Sequence, residues 1–291
     1  MNETRPLSHF RSLHRFSIPG SVVNEDGAGL YGRCAWIVDG ATGVLGKQLT
    51  TGATDAAWLA GTICERLQEV LQTVPSPDDV LDRLEEGVRD AFVREAAEAA
   101  LSGDHAPSAC LGLVRIRGAM DEGHVLEGRF LGDVVALIPT ETGIVRWTDE
   151  RSKPFERRTL AALQAADRRA GEVPEAVRRQ ILENRTKLNR PEGYWVVNPL
   201  RPSAGHELRF EAVVAPGRPV VLATDGFMRL VDVFGAYTDE SLHTHLAAGE
   251  GEGLMRELRD LERSDPAAEA HPRVKIHDDA TVLVIAAEMY G

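Results

Sequence analysis

Short apolar runs that begin or end in acidic residues are the feature that most constrains this sequence. In "VVLATDGFMRL" a strand-like run leads directly into Asp225, and "AWIVDGATG" leads in the same way into Asp39. "HDDATVLVIAA" reverses the order and opens with Asp278 and Asp279. A single Asp-Gly is usually a turn, but the recurrence at strand ends predicts that several carboxylates meet at one rim of a sheet.

Such a meeting of carboxylates needs positive charge. Asp26, in "VNEDG", lies about a hairpin's length before Asp39. Two carboxylates 4 Å apart repel by roughly 4 kcal/mol at an effective dielectric of 20. Four aspartates (Asp26, Asp39, Asp225 and Asp278) match two divalent ions in charge, and an all-oxygen set favours magnesium or manganese over zinc. Gly40, which lacks a Cβ, would allow its carbonyl to approach a metal.

A site of this kind predicts phosphoryl chemistry. Two bound ions can lower the pKa of a water and clamp a phosphoryl group for in-line attack. The sequence contains no GxSxG elbow and no cysteine in a recognisable catalytic setting, so no protein nucleophile is evident. "HTH" at 243–245 would point its two imidazoles to different faces of a helix.

Bulk properties limit the partners. The 291 residues carry a formal net charge of -12 and are 43% hydrophobic, which is typical of a folded chain. The acidic balance disfavours nucleic acid and anionic membranes as partners.

We expect a cytoplasmic protein, because no signal-like or membrane-spanning apolar run is present. Cys34, Cys64 and Cys110 form no CxxC motif and are expected to be free thiols. The sequence does not indicate the oligomeric state.

The apolar periodicity predicts an α+β fold with antiparallel sheets, since strands and helices do not alternate regularly. No linker divides the chain, so residues 1–291 are predicted to form one domain. Helices are predicted over about 52–74, 78–101 and 239–264, with two more within 152–192, and strands over 108–117, 124–131, 133–139, 219–224 and 280–287.

Two glycine-rich stretches imitate nucleotide-binding motifs. "GAGLYG" at 27–32 matches GxGxxG, but polar residues precede it and a strand-like run follows, so a glycine-rich turn is predicted instead. "GATGVLGKQ" at 40–48 has one residue too many for a phosphate-cradling loop, and Gln48 stands where a magnesium-binding hydroxyl is required.

The ordered motifs resemble those of the metal-dependent protein phosphatases, the PPM or type-2C family. They are "NED" at 24–26, "VDGATG" at 38–43, "LGD" at 131–133, "LATDGF" at 222–227 and "DDAT" at 278–281, and they span nearly the whole chain. The resemblance implies a four-layer αββα sandwich, in which two antiparallel sheets lie between helix pairs, with a variable helical insert at about 152–192. It also implies hydrolysis of phosphoserine and phosphothreonine with magnesium or manganese.

The resemblance also implies roles for individual residues. Asp39 would bridge two metals, and the Gly40 carbonyl would bind one of them. Asp225 and Asp278 would be ligands to the other. Asp26, Asp39 and Asp225 form the implied catalytic set.

Supporting roles follow in the same way. Asp26 and Glu25 would hold metal-bound water, and Asp133 resembles the ligand of a weaker third metal. Asp279 falls where the family usually has asparagine, so it ranks below Asp278 and is expected to support the site.

The sequence departs from the family pattern at three positions. Ala41 replaces a histidine that can protonate the leaving alcohol, and Ser21 replaces an arginine that holds phosphate. Arg229 stands where many members have another acid for the third metal. Arginines close in sequence are candidates for the missing phosphate contact: Arg11, Arg15 and Arg33.

The leading hypothesis is a metal-dependent phosphomonoester hydrolase acting on phosphoproteins, in which a hydroxide bridging two ions attacks phosphorus. The alternative is a catalytically weak relative that uses the phosphatase fold to bind or regulate a partner, because the usual histidine and arginine are missing. A nucleotide-binding oxidoreductase built on "GAGLYG" ranks third.

Overall fold

A computed structural model describes residues 8–41, 48–73, 79–96, 105–120, 123–164 and 174–289. These residues form ten β-strands and seven α-helices. The strands are β1 (Ser8–Ile18), β2 (Asp26–Tyr31), β3 (Cys34–Ala41), β4 (Ser108–Met120), β5 (Gly123–Leu131), β6 (Val135–Thr140), β7 (Gly143–Trp147), β8 (Leu208–Val214), β9 (Val220–Ala223) and β10 (Ala280–Met289). The helices are α1 (Asp55–Thr73), α2 (Val80–Glu95), α3 (Lys153–Gln164), α4 (Glu175–Arg185), α5 (Asp225–Asp232), α6 (Asp239–Ala247) and α7 (Gly251–Ser264).

Two five-stranded antiparallel sheets form the centre of the molecule. The first sheet has the strand order β1-β10-β9-β6-β7, and the second has the order β2-β3-β4-β5-β8. Because alternate residues of a strand point to opposite faces, each sheet contributes one face to the layer between the sheets. Seventeen buried side chains fill that layer, including Phe130 and Trp147.

Helices cover the outer faces of both sheets. The apolar stripe of α1, with Leu59, Ile63 and Leu67, packs with α2 against the outer face of the second sheet. Helices α5, α6 and α7 bury their apolar residues against the first sheet. The expected αββα sandwich is therefore confirmed, although the layer on the first sheet contains three helices and not a pair.

Helices α3 and α4 lie within 152–192, where two helices were predicted. The side chain of Asn184 in α4 donates to the Phe155 carbonyl and to the Thr159 hydroxyl of α3, at 3.1 and 3.0 Å. Arg185 donates to the Ala106 carbonyl just before β4. This helix pair is thus fixed beside the start of β4.

Several local predictions were wrong. "GAGLYG" is not mainly a turn, because residues 27–31 lie in β2 and only Gly32, with φ +54°, begins the turn to β3. The antiparallel neighbour β3 pairs with those residues and fixes them as strand. β7 was missed, and α2 ends at Glu95 because Ala96 has an extended backbone.

Some predictions cannot be compared with the structure. Most of "GATGVLGKQ" (residues 42–47), the predicted helix end at 74 and residues 97–101 lie outside the described ranges.

All three cysteines are unpaired. Among the described helices, none has the length and apolar character needed to span a bilayer.

Replacing Phe130 with alanine should destabilise the protein by about 3–5 kcal/mol. Phe130 is fully buried between the sheets and meets the rings of Trp147 and Phe210 edge-on. Urea unfolding measures the change. Val145→Ala, at a position that is 39% exposed on β7, is the control and should cost less than about 1 kcal/mol. Equal losses in the two variants would contradict the described core.

Candidate metal centre

The β2–β3 hairpin brings the first two aspartates together. Asp26 and Asp39 are direct antiparallel partners, so their side chains project from the same face of the second sheet. The Gly40 amide donates to the Glu25 carbonyl at 3.1 Å, which extends the pairing beyond Asp26. Two like charges directly opposite each other are destabilising in a sheet, so the backbone pairing imposes the contact.

The third aspartate comes from the first sheet. β9 ends at Ala223, Thr224 is the N-cap of α5, and Asp225 is the first residue of that helix. The Thr224 hydroxyl donates to Asp26 Oδ2 at 2.9 Å. The Asp39 and Asp225 carboxyl groups lie within hydrogen-bonding distance of each other. The end of β9 thus meets the β2–β3 hairpin, and acids of both sheets share one spot.

The crowding of these acids raises their pKa values. Burial, followed by the charges of Asp225 and Asp26, raises the pKa of Asp39 well above its ordinary value. Burial also raises the pKa of Asp26 to about 7, against opposing hydrogen bonds from Thr281 and Thr224. The pKa of Asp225 is raised as well, by burial and then by Asp278. Although protein surrounds Asp225 closely, its side chain remains open to solvent, which makes it accessible to a substrate.

Asp278 already has two cationic partners. Arg229 Nη2 donates to Asp278 Oδ2 at 2.6 Å, and Lys275 Nζ donates to Oδ1 at 2.9 Å. Arg229 is buried and also pairs with Glu262 at 2.9 Å. The residue that replaces a family acid therefore supplies positive charge to a predicted metal ligand.

Asp279 fixes the loop before β2. Its two carboxylate oxygens accept from the Gly20 amide at 2.6 Å and from the Glu25 amide at 2.7 Å. The structure therefore gives Asp279 a positioning contact next to Asp26. The Glu25 amide donates to Asp279 and the Glu25 carbonyl accepts from Gly40. The Glu25 side chain is half-buried at the rim of the cluster.

Glycines allow the backbones around the cluster to approach closely. A Cβ on Gly226 would lie 1.9 Å from the Asp279 carbonyl oxygen, and one on Gly20 would lie 2.4 Å from the Asp278 carbonyl carbon. A Cβ on Gly40 would lie 2.6 Å from the Glu25 carbonyl oxygen. The glycine after Asp39 and the one after Asp225 are thus required by packing.

Asp133 is a further acid near Asp225. It follows β5 and accepts a hydrogen bond from Cys110 Sγ at 3.1 Å. The Ser152 hydroxyl lies 3.2 Å from Asp133 Oδ2 and 2.7 Å from Glu156 Oε1. Burial, followed by Asp225 and Glu156, raises the pKa of Asp133 well above its ordinary value. Helix α3 therefore adds a carboxylate, Glu156, to the group around Asp225.

These residues fit divalent ions in part. Asp26 Oδ1 is buried without a hydrogen-bond partner, and Asp26 and Asp39 have raised pKa values, so a cation bound among them would offset their repulsion. Within the described residues, however, no three His, Cys, Asp or Glu side chains are arranged to hold one ion. Both oxygens of Asp278 already accept hydrogen bonds from cations. Asp26, Asp39, Asp225 and the Gly40 carbonyl supply the oxygen donors that such an ion prefers, but the three carboxylates would have to shift to hold it together, and Asp278 could join them only if Lys275 gives way.

The candidate phosphate-binding arginines lie elsewhere. Arg33 is in the β2–β3 turn, at the opposite end of the hairpin from Asp26. Arg11 pairs with Glu288 on β1 and β10, and Arg15 is exposed on β1 near the Cys64 thiol. The suggestion that Arg11 or Arg33 holds phosphate at the cluster was therefore wrong.

Sequence reasoning missed four contributors to the site. Arg229 had been noted only as a departure, while Lys275, Glu156 and Thr224 were not singled out. Lys275 precedes Asp278 by three residues, a spacing that could have suggested the ion pair. Glu156 is brought in by tertiary packing of α3 and had no sequence signal.

Solved structures of bacterial phosphatases share this architecture. The serine/threonine phosphatase PstP/Ppp of Mycobacterium tuberculosis has a TM-score of 0.52 and 16% identity, and the match covers 95% of this chain and 98% of that one. The PPM Ser-Thr phosphatase MsPP of Mycobacterium smegmatis has a TM-score of 0.51 and 16% identity, covering 94% and 98%. Stp1 of Staphylococcus aureus, a serine/threonine phosphatase, has a TM-score of 0.54 and 15% identity, covering 99% and 96%.

This chain has the PPM phosphatase fold. The fold implied by the ordered motifs is thereby confirmed over nearly the full length. At 15–16% identity, the similarity establishes the fold and not the activity. No protein-family model and no curated protein sequence matches this chain.

The stability of the metal-free protein should fall as pH rises from about 4 to about 7. The pKa of Asp26 is raised from 3.8 to about 7 in the folded state, so in this range the folded protein binds more protons than the unfolded chain. The raised pKa of Asp39 acts in the same direction. Thermal unfolding in chelator at several pH values measures the trend.

Asp26→Asn should flatten this trend, because the amide does not ionise. Asp90→Asn, at an exposed position on α2, is the matched control and should keep the wild-type slope. A slope that is identical in wild type and Asp26→Asn would show that Asp26 is not an uncompensated carboxyl.

Lys275→Met should tighten binding of a divalent ion. The substitution removes the cation from Asp278 Oδ1, which keeps only its hydrogen bond from the Asp279 amide at 3.2 Å. The Lys275 side chain is 57% exposed, so its ion pair contributes little stability. Isothermal titration with Mn²⁺ should show up to about a fivefold gain in affinity, equivalent to about 1 kcal/mol. Lys153→Met, which breaks an exposed pair with Glu150, should leave the affinity unchanged. Unchanged or weaker binding in Lys275→Met would mean that Asp278 is not a ligand.

Proposed function

We propose that this protein is a metal-dependent phosphomonoester hydrolase acting on phosphoserine and phosphothreonine in proteins. One observation carries the proposal: Asp26 and Asp39 of the second sheet lie close to Asp225, which follows β9 of the first sheet, and these acids have raised pKa values and one unpartnered carboxylate oxygen. The resemblance of the ordered motifs assigns metal-binding roles to the same residues. The fold neighbours PstP/Ppp and Stp1 support the substrate class, since both are serine/threonine phosphatases.

Asp26, Asp39, Asp225 and the Gly40 carbonyl would hold two divalent ions, with Asp278 completing the set once Lys275 is displaced. The all-oxygen donor set supports magnesium or manganese as the ions. When bound, such ions supply Lewis-acid activation of water and of the phosphoryl group. Asp133, with Glu156 beside it, is the candidate position for a third ion.

The protein residues position the reacting groups. Asp225 is the acid that solvent reaches most freely, so the phosphoryl group is expected to approach from its side. The Thr224 hydroxyl orients Asp26 through its bond to Oδ2. Asp279 holds the loop that carries Glu25. These contacts fix the carboxylates before a substrate arrives, which reduces reorganisation during the reaction.

Lys275 is the best candidate for the phosphate contact that Ser21 cannot make. It is a largely exposed cation beside Asp278, whereas Arg229 is buried and engaged by two carboxylates. A lysine can meet a phosphate as a mobile point charge. Its release from Asp278 on ion binding would leave it available to the substrate.

We further propose that residues 1–291 act as one phosphatase domain with α3 and α4 as its variable insert. The three unpaired thiols support a reducing compartment such as the cytoplasm. The catalytically weak alternative is not favoured, because the four aspartates to which the resemblance assigns the two main metals, Asp26, Asp39, Asp225 and Asp278, are all present, and the first three lie close together.

Purified protein should hydrolyse an aryl phosphate and a phosphothreonine peptide with Mn²⁺ or Mg²⁺, and should lose activity in chelator. Asp225→Asn should reduce kcat/KM by at least about a hundredfold, because loss of even an outer-shell partner of a metal site costs roughly 10–100-fold. Release of inorganic phosphate measures both.

Asp260→Asn, at an exposed position on α7, is the control and should retain wild-type activity. A wild-type protein that is inactive with both ions, or whose activity survives chelation, would refute the proposal. Full activity in Asp225→Asn would refute the assigned site.

A further inference from the structure

A cavity lies at the opposite end of the second sheet from the carboxylates. Its volume is about 200 Å³, and it is bounded by the β2–β3 turn, the last turn of α1, the start of α2 and the middle of β4 and β5. Asp26 begins β2 and Tyr31 ends it, so the cavity is roughly 17 Å from the acidic cluster, at about 3.3 Å per strand residue. It is therefore separate from the proposed phosphatase site.

One wall of the cavity is apolar. Cys34, Leu113 and Val80 are buried at its base, and Leu71 of α1 packs beside them. Tyr31 stands at the mouth with 40% of its surface exposed. A small apolar group could be removed from water here at no cost in polar contacts.

The other wall carries two arginines that lack a counter-ion. Among the described residues, neither Arg33 nor Arg115 has a hydrogen-bonded or ion-paired side-chain partner, and Arg33 Nε is buried and unsatisfied. The two guanidinium groups are close enough to repel, since burial and then Arg115 lower the pKa of Arg33. Buried donors of this kind normally have acceptors.

The remaining charged residues of this wall are already compensated. Glu127 lies opposite Arg115 in the strand register, but it is engaged by Arg129 at 3.3 Å. Arg129 also meets Glu207 at 3.6 Å. The excess charge of the cavity is therefore positive, although the whole chain carries a net charge of -12.

We propose that this cavity binds a small amphiphilic organic anion. Its anionic head would lie between Arg33 and Arg115, and its apolar body would lie against Leu71, Val80 and Leu113. Guanidinium groups match the planar geometry of carboxylates and the oxygens of phosphates. The volume is below the roughly 300–1,000 Å³ of sites for drug-sized ligands, which restricts the ligand to a short body with a single head.

Decanoate, which has an anionic head and an apolar chain, tests the proposal. Decanol, which lacks the charge, and inorganic phosphate, which lacks the apolar chain, are the control ligands. Decanoate should bind the full-length protein in isothermal titration more tightly than either control. In ¹⁵N–¹H spectra of wild-type protein it should shift the amides of residues 31–34 and 113–115. Arg33→Gln and Arg115→Gln should each weaken binding by about tenfold or more.

Arg117→Gln is the matched control, because Arg117 lies on the same strand, pairs with Glu211 and does not line the cavity. It should leave decanoate affinity unchanged. Decanol binding as tightly as decanoate would overturn the role of the arginines, and phosphate binding as tightly would overturn the role of the apolar wall. Shifts confined to other residues in wild-type protein, or no binding at millimolar decanoate, would overturn the site itself, whether or not the variants fold.

Discussion

Repulsion between carboxylates held at one point is the interaction on which the rest of this site depends. Asp26 and Asp39 face each other because β2 and β3 pair in that register, and Asp225 joins them because β9 ends beside the hairpin. Free carboxylates would separate in water. In the folded protein, the hydrogen bonds and the buried core of the two sheets keep the carboxylates together. The folded state therefore binds protons or cations at this cluster more strongly than separated carboxylates would.

The chain offsets this repulsion differently on the two sides of the cluster. Around Asp278 it uses its own cations, and Glu262, which is fully buried, fixes Arg229 in place while it also pairs with Arg259 and His277. Around Asp26 it provides two threonines and leaves one oxygen without a partner. A bound cation would therefore offset more repulsion beside the β2–β3 hairpin than beside Asp278. Arg229, at the position of a family acid, already offsets the negative charge of Asp278.

The sequence predicted those features that depend on local pattern and chain order. The apolar runs that lead into Asp39 and Asp225 are strands, and the ordered motifs indicated the sandwich. Contacts made across long separations had no comparable signal. Glu156 reaches Asp133 only through the packing of α3, and "GAGLYG" became a strand because β3 pairs with it. Likewise, Arg33 was considered as a phosphate-binding residue because it is close to Asp26 and Asp39 in sequence. It lies in the β2–β3 turn, which is the end of the hairpin farthest from those two acids.

The division of the acids between two sheets has a mechanical consequence. Asp26 and Asp39 move with one sheet, whereas Asp225 moves with the other, and the Thr224–Asp26 hydrogen bond joins them across the seam. The spacing between the carboxylates is therefore set by the angle and separation of the two layers. The size of a side chain between the two sheets therefore affects the distance between the carboxylates, even when that side chain contacts none of them.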